Sequence, residues 1–306
     1  MASIDSNLRA SAERNSRIAL DRYVDYDIAQ FAVAAGLAVE HALKFRLARE
    51  SPLLLADGAS KAWLQNAREL SKARDNAELL PPEVRTITAL EAFDRVVVLD
   101  PTCARIRPAV ESIMSVRNSQ AHMGVIGSGD VREVFAQFAR AIETVLVVSG
   151  TFWAPHEPLV RTLLDEFAAA VAKRVQEKLA RARLVFERRF GGLASEIRIG
   201  AIELALNTLI AQIRDDTVSV ACPACSSSAL LGGINRVESI DTHSDYPGYA
   251  VFLEAEWLRC AACELRLEGE EELEEAGVDL VVENNEVDVG DLFGDYEPDE
   301  DYFRGR

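Results

Sequence analysis

Long hydrophobic runs are missing from this chain of 306 residues, although 49% of it is apolar. No stretch approaches the roughly 18 to 20 apolar residues a membrane-spanning helix needs. The opening "MASIDSNLRASAERN" lacks the apolar centre of a secretion signal. A soluble, intracellular and cytoplasmic protein with no membrane partner is therefore expected, long enough to bury a core in one to three domains. Cysteine is sparse: five residues, four of them in two C-x-x-C pairs. In a reducing compartment such pairs point to metal ligands rather than disulfides. A repeat of solenoid type is also absent. Basic residues are few, 33 against 50 acidic, for a formal charge of −17. Spread evenly, that balance would argue against a polyanionic partner. Residues 264–306, however, hold 17 acids and 3 bases, which places −14 of the −17 at the C-terminal end. A nucleic-acid partner stays open.

Helical periodicity dominates to about residue 213. Residues 22–49 read as one long helix, with Ile28, Phe31, Ala35, Ala38, Val39, Ala42 and Phe45 at spacings of three and four. Its "EHALK" segment sets Glu40 four before Lys44, a favourable ion-pair spacing. A second helix covers 59–79, with Asp57 or Ser60 near its start, until Pro81 and Pro82 stop it. "PEVRTITALEAFDRVVVL" resumes as a helix whose β-branched end is ambiguous. "RPAVESIMSVRNSQAH" suits a helix with Pro108 in its first turn and Val110, Ile113, Met114 and Ala121 facing a core. Gly124, Gly127 and Gly129 end it, and Asp130 is placed to cap "VREVFAQFARAIETVLVV". The expected fold class is mainly α. A flexible N-terminus (1–20) precedes an antiparallel bundle (21–150), broken at "TFWAPHEP". A helical extension and possible dimer arm (155–215) follows, with Leu163, Phe167, Val171, Val175, Leu179 and Ala182 on one face. Residues 217–277 turn to short strands, and 278–306 form an acidic, flexible tail.

Cys222-Pro-Ala-Cys225 and Cys260-Ala-Ala-Cys263 are 34 residues apart across strand-like sequence. Each pair suits a knuckle with both thiolates aimed at one point, and two knuckles supply the four-sulfur tetrahedron that zinc prefers. A small β-rich segment with little core needs such a staple. One structural Zn²⁺ per chain is expected, with all four positions taken and none open for catalysis. Cys103 reads as a spare loop thiol, His243 as an exposed loop residue, and His41 as a satisfied structural histidine inside a helix.

"SVRNSQAHMG" sets Arg117 and Asn118 ahead of His122. Residues five apart on a helix lie about 140° apart around its axis, whereas Asn118 and His122 share a face. Arg-Asn-x3-His late in a helical bundle, behind a first helix carrying "EHALK", resembles the HEPN superfamily, helical domains of many prokaryotic defence and toxin ribonucleases. The resemblance covers roughly residues 20–150. It implies a metal-independent RNA endonuclease with Arg117, Asn118 and His122 as catalytic residues. It further implies a homodimer whose two motifs share a composite site, and a role in antiphage or toxin–antitoxin defence with an antitoxin or regulatory protein as partner. The residue types suit that chemistry: a histidine exchanges protons near neutral pH, and an arginine fork holds charge on phosphate oxygens. The alternative is a non-catalytic adaptor of the same architecture that binds nucleic acid, a nucleotide or a protein.

Residues 173–189 carry seven bases and two acids. They read either as a solvated face or as an RNA-tracking surface through Lys173, Arg174 and Arg181. Arg236 and Arg259 are candidate contacts from the cysteine segment, which serves equally as a protein-docking module. Charge complementarity also suggests that the acidic tail rests against the basic helix as a substrate mimic.

Overall fold

A computed structural model describes residues 3–58, 61–76, 80, 81, 84–123, 131–148, 152–213, 216–239, 249–285 and 287. The fold is mainly α with a small C-terminal antiparallel sheet that carries the cysteine pairs. Two compact units, 1–168 and 169–306, meet inside a helix rather than at "TFWAPHEP". Trp153 explains the shift: it is 1% exposed and its indole donates to Glu143 at 2.7 Å, which ties that segment into the first unit.

The first unit is organised on one helix. The N-terminus, expected to be flexible over 1–20, forms α1 (Ile4–Val24), capped by Ser3 and burying Ile4, Ala12, Ser16, Ala19 and Leu20. Tyr26 then takes a left-handed turn (φ 59°). Asp27 caps α2 (Ile28–Glu50) by accepting from the Gln30 amide at 3.2 Å, so the long helix expected from residue 22 is two. α2 buries 13 residues spread around its circumference, which marks a central helix. An 18-residue window of it has a mean hydropathy of 1.2, enough by length and composition to cross a membrane, in contrast to the expectation from sequence; 61% of that window is buried in the fold. Alanines 34, 35, 38 and 42 let α1 and the later helices come close.

α3 (Lys61–Lys72) is shorter than expected. α4 (Ala89–Leu99) starts at a complete capping box, Thr88 with Glu91, and keeps "VVVL" helical by burying Ala92, Phe93 and Val96 on one side. α5 (Arg107–Met123) and α6 (Val131–Leu146) pack with each other and with α2. Val110, Ile113 and Met114 face the core as expected, but Ala121 is exposed. Asp130 and the glycines at 124, 127 and 129 lie outside the described residues. Tyr23, Phe31, Phe135, Phe138 and Trp153 form one chain of ring contacts through this core.

α7 (Glu157–Phe190) runs on into the second unit, where Val171, Val175, Leu179 and Ala182 are buried. α8 (Ser195–Ile210) follows Gly191 and Gly192. The sheet has the order β1 (Thr217–Ala221), β2 (Ser228–Ser239), β3 (Tyr249–Arg259), β4 (Arg266–Glu268), all antiparallel, with β5 (Val281–Glu283) also on β3. At Gly232 a Cβ would lie 2.0 Å from the Trp257 ring, so only glycine allows that tryptophan to cross β2. The short acidic helix α9 (Glu270–Glu275) precedes β5. Residues 281–284, expected within the flexible tail, are instead held: β5 is paired and Asn284 is 2% exposed, bonded to Asn235 at 2.9 Å. Residues 288–306 and His243 lie outside the described residues.

Candidate metal centre and the Arg117 motif

The two C-x-x-C turns sit at the tips of two hairpins, one joining β1 to β2 and the other joining β3 to β4. Because β2 and β3 are neighbours, with Leu230 opposite Arg259, the tips are brought together. The turns share one construction. Cys222 N–H donates to Ser227 O at 2.8 Å, and Cys260 N–H to Leu265 O at 3.0 Å. The residue after each second cysteine is left-handed, Ser226 at φ 59° and Glu264 at φ 60°. Two non-glycine residues held there, at about 1 kcal/mol or more each, point to a constraint beyond the turns themselves.

That constraint fits a metal. All four Sγ atoms lie within 4.8 Å of one another, with Cys222–Cys263 at 3.5 Å and Cys225–Cys260 at 3.7 Å. A tetrahedron with metal–sulfur bonds of about 2.3 Å has edges of about 3.8 Å. Disulfide sulfurs would stand about 2.05 Å apart, and all four thiols are free. Without a cation the group resists full ionisation: interactions with the neighbouring sulfurs, that of Cys222 foremost, hold Cys225 low and push Cys263 up. A divalent cation removes that conflict.

In the first unit, the Arg117 stem crosses α2 directly over Gly36, where a Cβ would fall 2.5 Å from Arg117 Cγ and 2.8 Å from its Cβ. The guanidinium then reaches Glu40 Oε2 at 3.7 Å and donates to Asn118 Oδ1 at 3.2 Å. Glu40 Oε1 accepts from Lys44 Nζ at 2.7 Å, and Lys44 donates on to Thr86 Oγ1 at 3.0 Å. Glu40, from "EHALK", thus joins a buried lysine to the motif arginine. Its spacing to Lys44 was visible in sequence, but its reach to Arg117 was not. α5 stays helical through Met123, so Arg117 and His122 diverge by about 140° around it. The His122 side chain lies outside the described residues. Asn118 is exposed.

Other candidates change character. His41 is half-buried, its Nδ1 has no hydrogen-bond partner among the described residues, and burial holds its pKa below the ordinary value; a satisfied histidine does not describe it. Cys103 lies in a 3₁₀ turn (Pro101–Ile106), not a loop; it is 1% exposed, and burial with the nearby Asp100 charge pushes its pKa up to about 11. Lys173 and Arg181 are exposed on α7, whereas Arg174 pairs with Glu272 of α9 at 3.0 Å. Arg236 pairs with Glu254 at 2.9 Å, and Arg259 lies over the Trp257 ring at 4.7 Å. Set against protein-family models, curated proteins and solved structures, the chain matches none of them.

Proposed function

We propose that the chain is a metal-independent RNA endonuclease of the HEPN type, acting as a two-fold dimer, with one structural zinc held by Cys222, Cys225, Cys260 and Cys263. The observation that carries the reading is the placement of Arg117: the motif arginine approaches Glu40 at 3.7 Å and donates to Asn118 at 3.2 Å, which links "RNSQAH" to "EHALK", the two segments that carry the resemblance. An arginine held by its stem and one edge keeps other N–H groups for a phosphate. Its divergence from His122 on a regular helix argues for a composite site. The arginine of one copy then works with the histidine of the other.

In that site one His122 takes the proton of the ribose 2′-hydroxyl, whose oxygen attacks the adjacent phosphorus. The bond to the 5′-oxygen breaks, and that oxygen takes a proton from the second His122. The products are a 2′,3′-cyclic phosphate and a 5′-hydroxyl, while Arg117 holds the charge on the phosphate oxygens. DNA, lacking the nucleophile, is spared. Zinc, with four thiolates around it, staples the hairpins and has no open position for chemistry. A defence role with a silencing partner follows from the resemblance alone.

The test is incubation of transfer RNA and total RNA with the protein in chelator, beside His122→Ala and Arg117→Ala. Cleavage lost in both variants supports the nuclease. RNA binding without cleavage by any form supports the adaptor reading and overturns the catalytic one.

A further inference from the structure

The second unit carries a cationic ridge that its own acids leave unanswered. Of the seven bases between residues 173 and 189, three are held internally. Arg174 and Lys178 both bind Glu272, itself 5% exposed and also accepting from the Glu268 amide. Arg189 donates to the carbonyls of Ala261 and Ala262 in the second cysteine turn and pairs with Glu264 at 3.2 Å. Lys173, Arg181, Arg183 and Arg188 are exposed and make no ion pair among the described residues.

These four do not point the same way. Arg181 and Arg188 are seven residues apart, so they lie within about 20° of each other and about 10.5 Å apart along the axis, with Lys173 about 60–80° round from them and about 12 Å before Arg181. Arg183 faces roughly the opposite direction, about 200° round from Arg181. Glu177 lies within the ridge and Glu187, three residues after Leu184, flanks it; three bases against these two acids leave the ridge net positive by one. Leu184, 70% exposed, stands between Arg181 and Arg188. An unstacked base can cover that apolar side chain, and only a single strand offers unstacked bases.

We infer that Lys173, Arg181 and Arg188, with Leu184 between the arginines, form a binding surface for the phosphate backbone of single-stranded RNA. The inference deepens the nuclease reading by naming a substrate-holding surface in the other unit, and its test separates the two.

The experiment uses the full chain carrying His122→Ala, so that RNA stays intact, and measures fluorescence anisotropy with a labelled oligouridylate of about 20 nucleotides over a range of KCl. Three phosphate contacts give a slope of log K against log salt of about −2. The triple variant Lys173→Gln, Arg181→Gln, Arg188→Gln is expected to bind at least tenfold more weakly with a nearly flat slope. Arg183→Gln is expected to stay within twofold. Equal thermal melting curves show that the fold is retained, and the double Arg181→Gln, Arg188→Gln serves if the triple melts early. The inference is overturned if the parent does not bind, if the triple variant binds like the parent, if Arg183→Gln is as damaging, or if polyglutamate of equal charge competes against the parent as well as RNA does. A wild-type chain that binds through the ridge but never cleaves would end the nuclease reading and leave the ridge standing.

Discussion

Gly36→Ala tests the crossing that places Arg117. An added Cβ would lie 2.5 Å from Arg117 Cγ and 2.8 Å from Arg117 Cβ, against ordinary contacts near 3.5–4 Å. The second of those atoms is fixed to the α5 backbone, so swinging the arginine away cannot remove the whole overlap. The helices must part by about 1 Å, an overpacking cost of about 1–3 kcal/mol. Replacing a helical glycine with alanine returns about 0.5–1 kcal/mol. The net expectation is a loss of about 1–2 kcal/mol from the first unit, with the 3.7 Å approach of Arg117 to Glu40 broken. Urea melting followed through buried Trp153, with Trp63 and Trp257 changed to Phe, reads that unit. RNA cleavage should fall more than tenfold. Combined with Arg117→Ala, which deletes Cγ and Cδ, Gly36→Ala should cost about 1 kcal/mol less than in the parent. A variant as stable as the parent, or strict additivity with Arg117→Ala, would refute the close-crossing argument.

Cys225→Ser should lower bound metal from one per chain to under a tenth by elemental analysis and abolish the near-ultraviolet signal of Trp257; retained metal would exclude the four-thiolate site. Glu40→Gln leaves Lys44, whose side chain is 9% exposed, without its anion. The expected loss is about 2 kcal/mol in denaturant melting, below the ~3–5 of a fully buried pair because Glu40 keeps 18% exposure. Cys103 supplies a pH signature. A folded pKa of about 11 lies above that of a free thiol, so the unfolded chain loses this proton first. The stabilising contribution is present below the unfolded value and is lost as pH rises toward 11. Cys103→Ala should flatten that part of the stability–pH curve; an unchanged slope refutes it.

The long helices were legible because their apolar residues recur at 3.6. The cysteine turns were legible because thiolate spacing is local. α1 escaped because its buried face is Ala12, Ser16, Ala19 and Leu20, small residues that scarcely raise the apolar pattern. β5 escaped because three residues among acids carry no period, and their pairing is made by β3, nearly thirty positions earlier. The pairing of Arg117 with Glu40 depends on which helices cross at Gly36. No spacing along the chain encodes that.

The linked side chains Glu40, Lys44 and Arg117 sit on or against α2, a helix with 13 buried residues. Charge in such a place is a poor source of stability, because desolvation consumes most of the attraction. Apolar side chains of similar volume would serve the fold as well or better. The variant Glu40→Leu, Lys44→Met, Arg117→Met is therefore expected to melt within about 1–2 kcal/mol of the parent, in contrast to the single Glu40→Gln, which strands a cation. The same variant should have no RNA cleavage. Stability retained with activity lost would mean that the charges are kept for chemistry. If instead the triple variant unfolds the first unit, the linked charges are structural cement, and the assignment of Arg117 to a phosphate loses the observation that carries it.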